Sequence, residues 1–242
     1  MNTKRLYKAV SVLGMGIALG ACSSSNDPQV SGRDEIEFEI TVTNLSAGQP
    51  MSPVVVALHQ ESYQAFQTGS AASVELEQLA EGGDNSALLT ALGANNAVLE
   101  EEGGSGAIAP GGSEVFELSA AEGALGTLSL SMLSMLVNTN DAVVAVNNQS
   151  LASMAINETM NFYALSYDAG TEANIETADT IPGPAAAGGA REGFNAVRDD
   201  IRDEVSIHAG VITQADGLSS SVLTEVHRWD HPSVKVSVVR VH

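Results

Sequence analysis

The sequence predicts an all-β protein, an antiparallel β-sandwich with one or two short helices in an insertion. Three observations carry this reading. Residues 35–43 alternate strictly, with Ile36, Phe38, Ile40 and Val42 on one face and Glu35, Glu37, Glu39 and Thr41 on the other, which is the two-residue period of a strand buried on one side. Short apolar runs recur along the rest of the chain, parted by Gly, Pro, Asn and Ser turn signals. Only one stretch, near residue 73, carries both a start and a stop signal for a helix.

The elements follow in order. After the first strand, Val54 to Leu58 is a continuous apolar run behind Pro53, the pattern of a strand covered on both faces. Ser73 can cap a helix through its hydroxyl, Glu75 to Leu79 favour it, and Gly82-Gly83 end it. Ala87 to Leu92 reads as a second helical turn. Residues 95–112 read as an acidic, glycine-rich loop, with Glu100-Glu101-Glu102 hydrated beside Gly103-Gly104-Ser105-Gly106. Strand patterns resume at Glu114 to Leu118 and at Thr127 to Val137, where Leu128, Leu130 and Met132 alternate with small polar residues. Ala142 to Val146 and Thr159 to Tyr167 continue them. The Pro/Ala/Gly-rich stretch from Ile181 to Gly189 reads as a surface loop. Glu204 to Val211 and Ser233 to Val241 complete the set, the last placing Val234, Val236 and Val238 on one face.

The N-terminus is not part of that fold. Lys4, Arg5 and Lys8 precede an apolar run from Ala9 to Leu19, too short to span a bilayer and flanked like a secretory signal. Leu19-Gly20-Ala21-Cys22 then looks like a lipobox, in which the Cys22 thiol would be acylated and become the first mature residue. Cys22 is the single cysteine, so no internal disulfide is available. The expected organisation is a signal peptide at 1–21, a lipid-anchored flexible tether at 22–34, and one domain at 35–242. Ser23 after the cysteine implies transfer to a bacterial outer membrane, with the lipid on Cys22 as the membrane contact.

Charge excludes whole function classes. Ten basic residues face thirty acidic ones for a formal charge of −20, and removal of residues 1–21 would take away three of the basic ones. Such a surface repels nucleic acid and anionic headgroups. Catalytic signatures are missing as well: the five histidines form no H-x-x-H pair, no G-x-S-x-G elbow occurs, and the glycine clusters lack a phosphate-binding lysine. His208, between Ile207 and Ala209, is expected to face solvent. Trp229, the lone tryptophan, is expected to close one end of the core.

The most informative motif is Asp168-Ala169-Gly170-Thr171-Glu172, read with Thr139-Asn140-Asp141 upstream. Carboxylates that converge without a basic partner repel, and a hard divalent cation, calcium first, is the simplest relief. Together with Thr41 to Leu45, Gln49 to Pro53 and Arg228-Trp229-Asp230-His231-Pro232, these segments resemble the spondin N-terminal domain family across nearly all of the mature chain. The resemblance implies a C2-like β-sandwich that holds one calcium on three aspartates. Carried over by residue, the metal ligands are Asp141, Asp168 and Glu172, with the longer glutamate in the third position; backbone carbonyls and water would supply the remaining ligands, with Asn140 and Thr171 as candidates. It also implies a non-enzymatic binding or adhesion module whose partner is an unknown protein or glycan at a cell surface. A structural envelope protein, whose calcium only rigidifies loops, is the first alternative; a metal-dependent hydrolase ranks last, since calcium is a weak Lewis acid and no general base is evident.

Overall fold

A computed structural model describes residues 35–187 and 193–242. The expected signal peptide, the tether and Cys22 lie outside the described residues, as does part of the stretch from Ile181 to Gly189. Strand β1 (Glu35–Asn44) buries Ile36, Phe38, Ile40 and Val42 at 1% exposure or less and leaves its glutamates outward. Burial of each such side chain contributes roughly 1.5–3 kcal/mol, so a one-residue slip of register would forfeit all four at once. β2 (Val55–Gln60) is buried on both faces, as its unbroken apolar run requires. Helix α1 (Val74–Gly82) starts where expected: the Ser73 hydroxyl accepts the Leu76 N–H at 3.2 Å, and Gly83, at φ +67°, closes the helix by donating to Leu79 O. Helix α2 (Ser86–Gly93) follows.

The next segment departs from expectation. Val98–Gly103 is strand β3 rather than loop, paired antiparallel with β2. Its glutamates read as loop because their acidity masks the alternation; pairing with the buried strand β2 decides the matter. Strands β4 (Ser113–Ala121), β5 (Leu128–Met135), β6 (Ala142–Ser150) and β7 (Thr159–Asp168) follow. β8 is only Ser206–Ile207, much shorter than the stretch from Glu204 to Val211 suggests, and β9 is Val234–Arg240.

All ladders are antiparallel, in the order β3-β2-β5-β6-β7-β9-β1-β4, with β8 on β7. β7 turns the corner: residues 159–164 pair with β9, and residues 165–168 pair with β6. The sheet thereby folds over itself until its two edge strands, β3 and β4, meet, and the Ser119 N–H donates to Glu100. The enclosed core takes Phe38 and Ile40 from β1, Phe116 and Leu118 from β4, Leu130 and Met132 from β5, and Val234, Val236 and Val238 from β9. The outer faces of β2, β5 and β6 are covered by Leu76, Leu79, Leu88 and Leu92 of the two helices. A small third cluster of Ile181, Val211 and Leu223 packs the long loops after β7, and Trp229 bridges it to the main core, as expected of a residue that closes one end.

Candidate functional site

The pairing of β6 with β7 places Ala142 opposite Asp168. Asp141, one residue before β6, therefore lies beside the chain leaving β7, where the Ala169 N–H meets its carbonyl at 3.3 Å. The β5–β6 turn is held from within: the Thr139 hydroxyl donates to Leu136 O at 2.6 Å and accepts the Ala142 N–H at 3.1 Å. After Asp168 the chain reverses at Gly170, with φ +73°. A Cβ at that position would lie 2.5–2.8 Å from Glu204 backbone atoms, so only glycine fits both the dihedral and the space.

This reversal aims two successive backbone donors at one carboxylate oxygen. Asp141 Oδ2 accepts from the N–H groups of Thr171 and Glu172 at 2.8 and 3.1 Å and from the Thr171 hydroxyl at 3.2 Å. Its other oxygen, Oδ1, is buried and has no hydrogen-bond partner; the same holds for Oδ1 of the adjacent Asn140, whose Nδ2 donates to Thr180. Asp168 Oδ1 accepts the Gly170 N–H and Oδ2 accepts Asn174 Nδ2, both at 2.8 Å. Asp141 is fully buried. Its removal from water, with the Asp168 charge adding to it, pushes its pKa up to about 7 against the pull of the Thr171 and Glu172 donors.

The structure thus brings Asp141 and Asp168 together, and Glu172 meets the site through its backbone N–H. Among the described residues, no group of three or more His, Cys, Asp or Glu side chains is gathered closely enough to hold a metal ion. Each aspartate is held by its own donors. Two oxygens of a kind that suits a hard divalent cation, Asp141 Oδ1 and Asn140 Oδ1, are buried and unpartnered, and the Asp168 charge acts on Asp141.

Sequence reading missed the brace around this site. Asp199 donates its N–H to Thr171 O and accepts the Ala173 N–H, so the segment before β8 clasps the motif from outside. Arg198 fastens that segment to α1 by donating to Glu77 Oε2 at 2.6 Å, and also donates to Ala72 O, just before the helix, at 2.8 Å and to Asp203 of its own segment at 2.7 Å. Glu77 and Ala72 lie 64 and 69 positions before Asp141, and Arg198 and Asp199 lie 30 and 31 positions after Asp168, so no local pattern links them.

Beside Asp168 and Asn174 opens a cleft of about 1320 Å³, also lined by His208, Arg228, Trp229 and Asp230. His208 corrects the expectation of a solvated ring. It is 4% exposed while Ile207 is 51% exposed; the two do point oppositely, but β8 carries its apolar residue outward. The Gly210 N–H donates to His208 Nδ1 at 2.9 Å, which places the ring proton on Nε2, a buried position without a partner. Burial lowers the His208 pKa; the Asp168 charge pulls it up and His231 pushes it down.

No curated protein matches the chain. The family model described as Spondin_N matches residues 45–182, more than half of the sequence, including α1, both turns of the site and strands β2 to β7. With all-β antiparallel strands and few helices alongside that match, the chain belongs to the spondin N-terminal domain family.

Proposed function

We propose that this chain is an extracytoplasmic, non-enzymatic binding module of the cell envelope, held to the membrane by a lipid on Cys22 and stiffened by one calcium ion at Asp141, Asp168 and Glu172. Family membership supports the broad class, since the spondin N-terminal domain is an extracellular-type domain and the family is not known for enzymes. One observation carries the metal: a fully buried carboxylate, Asp141, presents an unpartnered oxygen next to a second carboxylate, Asp168. Such an oxygen costs roughly 1–3 kcal/mol when left unsatisfied, more when charged, and a cation offsets that cost in the native state alone.

When bound, calcium would supply charge neutralisation and six to eight oxygen contacts. The chain's own residues set the rest. Thr171 and Glu172 fix the Asp141 carboxylate through Oδ2 and leave Oδ1 available, while Asn174 and Gly170 orient Asp168. Glu172, 8% exposed, would have to turn its longer side chain toward the ion to complete the set. Calorimetric titration of the chelator-stripped protein with calcium tests this: one saturable site is expected, and it should be abolished by Asp168→Asn. No heat of binding at millimolar calcium refutes the metal. For the anchor, intact mass of protein purified from membranes should exceed the polypeptide from Cys22 by an acylated glyceryl group; a free thiol refutes it.

A further inference from the structure

We infer that the cleft beside Asp168 docks a basic, partly apolar peptide segment of a partner protein, held by carboxylates on its rim and by exposed aliphatic side chains between them. The inference rests on the binding-module reading and names the chemistry of the partner. At about 1320 Å³ the cleft exceeds the ~300–1,000 Å³ of small-molecule pockets, room for several residues of an extended chain.

The lining combines uncompensated charge with exposed hydrocarbon. Its two arginines are both engaged, Arg228 by Asp216 and Arg202 by Glu204 at 3.6 Å. Asp168 belongs to the metal site, but Asp200, Glu225 and Asp230 enter none of the ion pairs among the described residues. Between these carboxylates, Leu45, Ile201, Ile207 and Ile212 also line the cleft and are 44–97% exposed, so a partner that covers them gains their burial. Strand β8 adds a place for a main chain: among the described residues it pairs with β7 alone, and Ser206 and Ile207 line the cleft, where an extended segment can add as a further strand. These features sort the occupants. An anionic ligand is repelled. A polyamine neutralises the carboxylates but leaves the four aliphatic side chains in water. A neutral glycan leaves the carboxylates uncompensated, and branched aliphatic side chains give it no flat aromatic face to stack on. A second copy of this chain lacks the charge: of its five described Lys and Arg residues, Arg198, Arg202 and Arg228 are ion-paired, and Arg240 is 8% exposed and donates to backbone carbonyls, which leaves Lys235 alone. A segment that alternates Lys or Arg with aliphatic residues meets both the charge and the hydrocarbon.

Trp229 is the single tryptophan of the chain and lines the cleft, so its emission locates binding while calorimetry measures affinity. The full chain is titrated with the acetylated hexapeptide Lys-Val-Lys-Leu-Lys-Val, and in parallel with hexalysine, Ser-Val-Ser-Leu-Ser-Val, Glu-Val-Glu-Leu-Glu-Val and cellohexaose. Saturable binding of the first peptide with a change in Trp229 emission is expected, at least ~10-fold tighter than hexalysine or the serine peptide, since each of those lacks one of the two matching features. Glu225 and Asp230 are exposed, and their joint replacement, Glu225→Gln with Asp230→Asn, should weaken that peptide ~3–30-fold, as two rim ion pairs would. Glu37→Gln with Glu39→Gln removes the same charge from the exposed face of β1 and should leave the affinity within ~2-fold of wild type. An equal loss in both double variants, or binding without a change in Trp229 emission, overturns the cleft as the site. Hexalysine binding as tightly as the mixed peptide overturns the apolar half of the match, and a response to cellohexaose or the glutamate peptide alone overturns the partner class. No binding of any probe overturns the inference, while calcium binding, measured separately, still decides the metal reading.

Discussion

Replacement of Asp141 by Asn isolates the charge that the fold has buried. The geometry accommodates the amide: its oxygen can accept from the Thr171 and Glu172 N–H groups as Oδ2 does, and its NH₂ takes the place of the unpartnered Oδ1. Burial, reinforced by Asp168, lifts the Asp141 pKa from 3.8 to about 7. A carboxyl whose folded pKa is raised is bound to a proton more tightly in the native state, so its stabilising influence is complete below pH 3.8, fades as pH rises, and is gone above about 7. At pH 8 the ionised native side chain then carries a cost of about 4 kcal/mol, from 1.36 kcal/mol per pKa unit. In chelator at pH 8, Asp141→Asn should therefore melt ~8–16 °C above wild type, at ~2–4 °C per kcal/mol for a chain of this length. At pH 4 the gain should shrink below ~1 kcal/mol, because Asp141 is then protonated in the native state and already roughly two-fifths protonated in the unfolded chain, close to its ordinary pKa of 3.8. Calcium removes the difference. A ligand at ~1,000 times its dissociation constant adds about 4.1 kcal/mol to a protein that binds it, enough to cancel the mutant's lead. The assay is a grid of thermal melts: two proteins, pH 4 and 8, chelator or saturating calcium. An Asn variant no more stable than wild type in chelator at pH 8 refutes the buried charge. A lead that persists undiminished in calcium refutes the metal.

Glu176 offers a second buried carboxyl, 1% exposed, with Oε1 accepting the Ile212 N–H at 3.3 Å, Oε2 unpartnered, and a pKa pushed up to about 7 by burial. Glu176→Gln should stabilise the protein by up to about 3 kcal/mol at pH 8 and by less than ~1 kcal/mol at pH 5, because the cost of ionisation accrues between pH 4.5 and 7; equal effects in melts at the two pH values would refute this. Gly170→Ala forces a Cβ into the Glu204 backbone at φ +73°, so a loss of at least ~2 kcal/mol is expected in chemical denaturation, along with weaker calcium binding by calorimetry. An unchanged midpoint would show that the turn relaxes freely.

Local pattern decides what a strand presents, and packing decides to what. Alternation in β1 and β9 identified the inward residues correctly, because one buried face imposes a period of two that no other arrangement of Ile36, Phe38, Ile40 and Val42 satisfies. The Ser73 cap and the glycines at 82 and 83 marked α1 because capping is a contact between near neighbours. The Asp168 to Glu172 motif was legible for a similar reason: its reversal is built into Gly170, and the fold then delivers Asp141 to it by the β6–β7 register. Where the neighbour is distant, the sequence is silent. β3 is a strand because β2 lies beside it, despite three successive glutamates. His208 turns inward because two residues of β8 attach to β7 and set which side faces Trp229, an outcome that alternation leaves open by sign. The brace from Arg198 to Glu77 joins residues 121 positions apart. Such pairings depend on how layers come together, and composition, spacing and periodicity, which act over one or two turns of chain, carry no record of it.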